Sequence, residues 1–132
     1  MRTILFVDDS RLVAKLFDSM LKADFKILGH GRDGNEGLSL YKELKPDIVL
    51  LDITMPNCGG RECLVRILEH NPNASVIMVS SLTDQLIISE CLLAGAKGYI
   101  IKDTISAKEE NSSKELVFKI LNIIDNSLKE AV

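Results

Sequence analysis

Ile48-Val49-Leu50-Leu51-Asp52 is the stretch on which the fold turns. It has four apolar residues in a row, without alternation, and then a carboxylate. A strand with one wet face alternates apolar and polar side chains, so a short continuous run describes a strand covered on both faces, the situation of a central strand in a parallel sheet. Val76-Ile77-Met78-Val79 repeats the pattern and gives way to Ser80-Ser81.

Working outward, Thr3 to Val7 reads as a first strand, followed by Leu12, Val13, Leu16, Phe17, Met20 and Leu21 at helical spacing behind Ser10 as N-cap. Phe25 to Gly29 is a weaker strand. Gly34 to Leu44 is a helix that turns Leu40, Tyr41 and Leu44 inward and is ended by Pro46. Beyond the central strand a helix is predicted from about Arg61 to Glu69, stopped by Asn71-Pro72. After Val79, Thr83 is the expected cap of a helix that runs to Ala94 and closes on Gly95. Gly98 to Ile101 makes the fifth strand. A last helix carries Val117, Ile120, Leu121, Ile124 and Leu128 on one stripe, behind a polar loop from Ser106 to Ser113.

Five β-α units in sequence imply an α/β fold with right-handed crossovers and helices on both faces of a parallel sheet. The 132 residues suit one domain, 1–132, with a core that needs neither disulfides nor a structural metal. The three cysteines, Cys58, Cys63 and Cys91, form no C-x-x-C pair and no even set, so they read as reduced, small apolar residues. No apolar run approaches the ~20 residues of a membrane span, and no basic leader with a cleavage site opens the chain, so a cytoplasmic protein without membrane contact is expected. A net charge of −3 with no Lys/Arg cluster argues against direct nucleic-acid binding.

Sheets of this kind bind ligands at the carboxyl ends of their strands. Asp8 and Asp9 end the first strand, Asp52 the third, Ser80 and Ser81 the fourth and Lys102 the fifth. Each alone has an ordinary explanation as a cap, a turn residue or a solvated charge. Converging on one edge, three carboxylates repel one another and call for a compensating cation, and oxygen-only ligands favour Mg2+.

With these residues in view, the sequence resembles the receiver domain of two-component response regulators from Arg2 to about Asp103. The resemblance is carried by Phe6-Val7-Asp8-Asp9-Ser10, by Val49-Leu50-Leu51-Asp52-Ile53-Thr54-Met55-Pro56 with Gly59-Gly60, by Val79-Ser80-Ser81, and by Ala94-Gly95-Ala96-Lys97-Gly98-Tyr99-Ile100-Ile101-Lys102. It implies a flavodoxin-like, doubly wound sheet of order 2-1-3-4-5. It implies Asp52 as phosphoacceptor, Asp8 and Asp9 as the acidic pair, the Thr54 carbonyl completing the metal shell, Ser80 as the phosphoryl-binding hydroxyl and Lys102 as its basic partner. The phosphodonor would be a sensor histidine kinase, a phosphotransfer protein or a small donor such as acetyl phosphate. Tyr99 would couple the site to a surface of helix 4, strand 5 and helix 5, and Thr54 and Leu82 match positions that tune acyl-phosphate hydrolysis.

The implied protein is a signalling domain rather than an enzyme, similar to chemotaxis regulators, with a downstream target protein as partner. Three consecutive apolar residues, Leu86, Ile87 and Ile88, cannot all face one core. Phe118 also lies off the stripe of its helix, so helices 4 and 5 could serve a target or a homodimer. Asp103 stands where many family members have proline, and a trans bond is expected there because a non-proline cis bond costs ~3 kcal/mol. Two alternatives are the receiver half of a DNA-binding transcriptional regulator, which a longer reading frame would reveal, and a haloacid-dehalogenase-like phosphatase. The latter pairs its nucleophile with an Asp two residues later, where this chain has Thr54. The full set of site residues argues against a pseudo-receiver that has lost phosphorylation.

Overall fold

The computed structural model describes residues 1–55, 57–102 and 112–130. The chain runs β1 (Thr3–Val7), α1 (Arg11–Leu21), β2 (Lys26–Gly31), α2 (Gly34–Leu44), β3 (Ile48–Leu51), α3 (Gly60–His70), β4 (Val76–Ser80), α4 (Gln85–Ala94), β5 (Gly98–Ile101) and α5 (Ser112–Glu130). All five strands are parallel, in the order β2-β1-β3-β4-β5.

The central run explains its own lack of alternation. Ile48 and Leu50 point into one buried layer with Phe17, Met20 and Leu21 of α1 and Leu116, Ile120 and Ile124 of α5. Val49 and Leu51 point into the other, with Tyr41 of α2, Cys63, Leu64 and Ile67 of α3 and Cys91 of α4. Each such side chain withdrawn from water contributes about 2 kcal/mol, so both sheet faces must be apolar to hold two layers of helices.

Local chemistry sets most of the helix ends. The Ser10 hydroxyl accepts from the Val13 amide at the start of α1, and Asp33 does the same for Glu36 at the start of α2. Gly95 ends α4 in the left-handed conformation, φ 117°, that a side chain would strain.

Four expectations are revised. The α4 cap is Asp84, not Thr83: its carboxylate accepts from the Leu86 amide, so the helix begins one residue later. β2 runs from Lys26 to Gly31 because its partner β1 continues to Val7, and Val7 pairs with Gly31. Leu12 is 80% exposed, on the outer side of α1. The inner line of α5 is Leu116, Ile120 and Ile124, spaced four apart, while Val117 and Leu121 are half-buried beside it. The expected side-chain placement of Leu128, most of the expected loop at 106–113, and the Lys102–Asp103 bond lie outside the described residues. Cys58, Cys63 and Cys91 are buried free thiols, and no described helix is long and apolar enough to cross a membrane.

Candidate functional site

Strand register builds the site. Val7 pairs with Leu51, so the residues that follow them, Asp8 and Asp52, leave the sheet at the same level. The Asp52 amide donates to the Val7 carbonyl at 2.9 Å, and the Asp8 amide donates to the Gly31 carbonyl at 2.9 Å. On the next strands Ser80 pairs with Ile101, which places Lys102 just beyond Ser80.

Asp8, Asp9 and Asp52 each offer an oxygen within 4.8 Å of the others. Asp8 is fully buried and Asp52 is 6% exposed, whereas Asp9 faces solvent. The Lys102 ammonium donates to Asp8 Oδ2 at 2.6 Å and lies 3.4 Å from Asp52 Oδ2. The remaining oxygens are also held: Asp8 Oδ1 accepts from the Ser10 amide, and Asp52 Oδ1 from the Ile53 amide, each at 2.8 Å. Both buried carboxylates are therefore oriented before any ligand arrives.

Burial pushes the Asp52 carboxyl above the usual carboxylate range; Lys102 pulls it down, and the neighbouring Asp8 adds to the rise. For Lys102 burial acts downward, but its bond to Asp8 and the charges of Asp52 and Asp8 outweigh burial and raise it, so the ammonium stays charged. One ammonium among three carboxylates leaves net negative charge in a partly dry site. A donor set made only of oxygens, with that excess charge, fits a hard divalent cation such as Mg2+.

Ser80 is buried, and its Oγ accepts from the Leu82 amide at 3.3 Å. The half-buried Tyr99 hydroxyl donates to the Leu82 carbonyl at 2.8 Å, so the main chain of Leu82 joins the two side chains. Thr54 lies in the exposed part of the β3–α3 loop, which the Gly60 amide closes by donating to the Ile53 carbonyl at 2.8 Å. A side chain at Gly60 would place its Cβ 1.9 Å from the Asp52 carbonyl oxygen, so this close approach requires glycine.

Sequence reasoning missed His30. Its Nε2 lies 2.6 Å from the Asp8 carbonyl, to which it donates, and its ring packs at an angle against Phe6. Nothing local to β2 signals this, because His30 meets Asp8 only through the pairing of two strands.

On α4 and α5, Leu86 is 68% exposed and Phe118 70% exposed, while Ile87 and Ile88 are half-buried. The prediction that α4 and α5 present apolar groups to solvent is borne out.

A flavodoxin-like sheet with an acidic cluster and a lysine at its carboxyl edge defines the receiver class. Residues 4–110 match the response regulator receiver domain family, and the chain belongs to it; phosphorylation-based signalling is that family's general function. The chain is 38% identical over 102 residues to the chemotaxis protein CheY of Thermotoga maritima, covering 76% of this chain and 85% of that one. Its fold superimposes on the response regulator domain of Thermotoga maritima CheB with a TM-score of 0.84 and 36% identity, covering 95% and 97% of the two chains. It is also similar to a chain of the CheX-CheY-BeF3-Mg2+ complex from Borrelia burgdorferi, with a TM-score of 0.82, 32% identity and coverage of 93% and 89%.

Proposed function

We propose that residues 1–132 form a single receiver domain in which Asp52 takes a phosphoryl group from a sensor histidine kinase or a phosphotransfer protein in the cytoplasm and passes the signal to a target protein. The observation that carries this reading is the Lys102 ammonium between Asp8 and Asp52, at 2.6 and 3.4 Å, with Asp9 sharing the same cluster.

Asp8, Asp9 and Asp52, with the Thr54 carbonyl, would hold Mg2+. When bound, the ion supplies positive charge that offsets the carboxylates and the charge spread over the phosphoryl oxygens. Asp52 is the nucleophile: one carboxylate oxygen forms the new O–P bond as the donor nitrogen departs. Its Oδ1 is tied to the Ile53 amide, which fixes the carboxylate plane. Lys102 neutralises charge at the reacting group. The Ser80 Oγ accepts from Leu82, and its O–H, which meets the Tyr99 hydroxyl in the unphosphorylated fold, would turn to donate to a phosphoryl oxygen.

That donation pulls on the Leu82 main chain, to which Tyr99 is also bonded. The surface of α4, β5 and α5 then changes, and the exposed Leu86 and Phe118 meet a target or a second copy of the chain. The CheX complex of the Borrelia burgdorferi relative supports both a cation and a protein partner for a fold of this kind. The domain acts as a phosphoacceptor signalling module, its chemistry confined to its own phosphorylation and dephosphorylation.

Incubation with acetyl phosphate and Mg2+, followed by intact mass, tests the assignment. The chain gains one phosphoryl group, and Asp52→Asn gains none. A wild-type chain that stays unmodified by acetyl phosphate and by phosphorylated kinase alike, or an Asp52→Asn variant still labelled at the same rate, removes Asp52 from this role.

A further inference from the structure

The loop that follows Asp52 includes Thr54, whose carbonyl is assigned to the proposed cation, yet Thr54 itself is exposed and makes no buried anchor. What steadies the loop comes from elsewhere in the chain. The Gly34 amide, at the first residue of α2, donates to the Cys58 carbonyl at 2.8 Å. Asn57 Nδ2 donates to Asp33 Oδ2 at 3.2 Å, across 24 positions of sequence. Asp33 therefore serves two partners, since its Oδ1 accepts from the Glu36 amide at 2.8 Å.

Steric detail shows how close this approach is. A Cβ on Gly34 would lie 2.5 Å from the Cys58 sulfur and 2.6 Å from the Cys58 carbonyl oxygen, so only glycine lets α2 and the loop meet at this distance. Asn57 adopts φ 65°, a left-handed conformation that Asn tolerates better than most residues, and this turns its amide toward Asp33. Cys58 is buried between them. The Glu36 amide and then the Asn57 amide hold the Asp33 carboxyl below its ordinary range, so it stays an acceptor for both.

We propose that Asp33, Gly34 and Asn57 form a clamp that positions the Asp52–Thr54 segment for the divalent cation. They are positioning residues that touch neither the cation nor the phosphoryl group. The inference rests on the reading of the acidic cluster as a cation site. Two ends fix the loop: the Gly60 amide on the Ile53 carbonyl near Asp52, and the α2 clamp at Asn57 and Cys58. With the clamp released, the loop samples more conformations, and binding the cation must order it again.

The test uses the full chain, Mg2+ alone as the probe, and the variants Gly34→Ala and Asn57→Gly. Neither changes the charge, and glycine keeps the left-handed backbone at position 57. An NMR titration of the unphosphorylated proteins is expected to show Mg2+ bound about tenfold more weakly in each variant, the order of effect seen when a ligand's supporting partner is removed. The Gly60 amide is expected to exchange faster in both variants without metal. Labelling by acetyl phosphate is expected to slow at low Mg2+ and recover at saturating Mg2+, while urea unfolding in EDTA shows the Asn57→Gly variant still folded under the assay conditions, which separates a weakened cation site from a general loss of stability.

If Gly34→Ala does not fold, Asn57→Gly decides the matter alone. Folded variants that bind Mg2+ as tightly as the wild type overturn the clamp. A wild-type chain that binds no Mg2+ overturns the reading of the acidic cluster, and that result appears before any variant is compared.

Discussion

Replacing Asp52 by Asn is expected to make the metal-free protein more stable, although it removes the proposed acceptor. At an effective dielectric of about 20, two carboxylates no more than 4.8 Å apart repel by ~3.5 kcal/mol or more, and an ammonium 3.4 Å from a carboxylate attracts it by ~4.9 kcal/mol. Lys102 therefore offsets Asp8, the exposed Asp9 is screened by solvent, and the burial of Asp52 is the largest penalty on its charge. A net gain of about 1–2 kcal/mol for the Asn variant follows, or a rise in Tm of about 4 °C per kcal/mol for a chain of this size.

The sign with pH is fixed by the direction of the shift. The Asp52 carboxyl is raised in the fold above its ordinary value, so the charged form is penalised in the native state. The penalty is fully present above the raised folded value, shrinks as pH falls below it and is gone below the ordinary carboxylate value. The advantage of Asp52→Asn is therefore greatest at neutral pH and closes in acid. Urea unfolding in EDTA at pH 7 and at successively lower pH measures both trends, and added Mg2+ is expected to narrow the gap by stabilising the wild type more. An Asn variant equal to or less stable than the wild type in EDTA at neutral pH refutes the electrostatic account.

Three further outcomes are expected. Leu82 is apolar and its main chain is bonded to both Ser80 and Tyr99, so Leu82→Ala is expected to admit water and speed loss of the phosphoryl group from Asp52; an unchanged rate, followed by intact mass over time, removes the idea of steric exclusion. Burial raises all three thiols, Cys63 to about 12, so reaction with a thiol reagent at pH 8 is expected to be slow until the chain is unfolded in urea, and rapid labelling of the native protein counts against the packing described. Phe118→Ser removes an exposed ring and is expected to shift stability by no more than ~0.5 kcal/mol. The same change is expected to weaken self-association or target binding of the phosphorylated chain, and light scattering and a pull-down that show no change dismiss the α4/α5 surface.

The sequence by itself determined the alternation of strands and helices, because each element carries its signal within a few residues. The unbroken apolar runs Ile48 to Leu51 and Val76 to Val79 announce strands covered on both sides, and Ser10, Gly95 and Pro46 mark helix ends through chemistry confined to one turn. It also determined which side chains stand at the carboxyl edge, since strand ends are legible in sequence and Asp8, Asp52, Ser80 and Lys102 each follow an apolar strand or close one. Tertiary structure decided what depends on partners distant along the chain. Asp8 meets Lys102 across 94 positions, His30 reaches the Asp8 carbonyl only through the pairing of β1 with β2, and Asn57 finds Asp33 only when α2 packs against the β3–α3 loop. Leu12 and Leu116 show the same division: helical spacing gives a stripe its period, but which residues on it are buried depends on where the neighbouring elements lie, and only the packed fold supplies that.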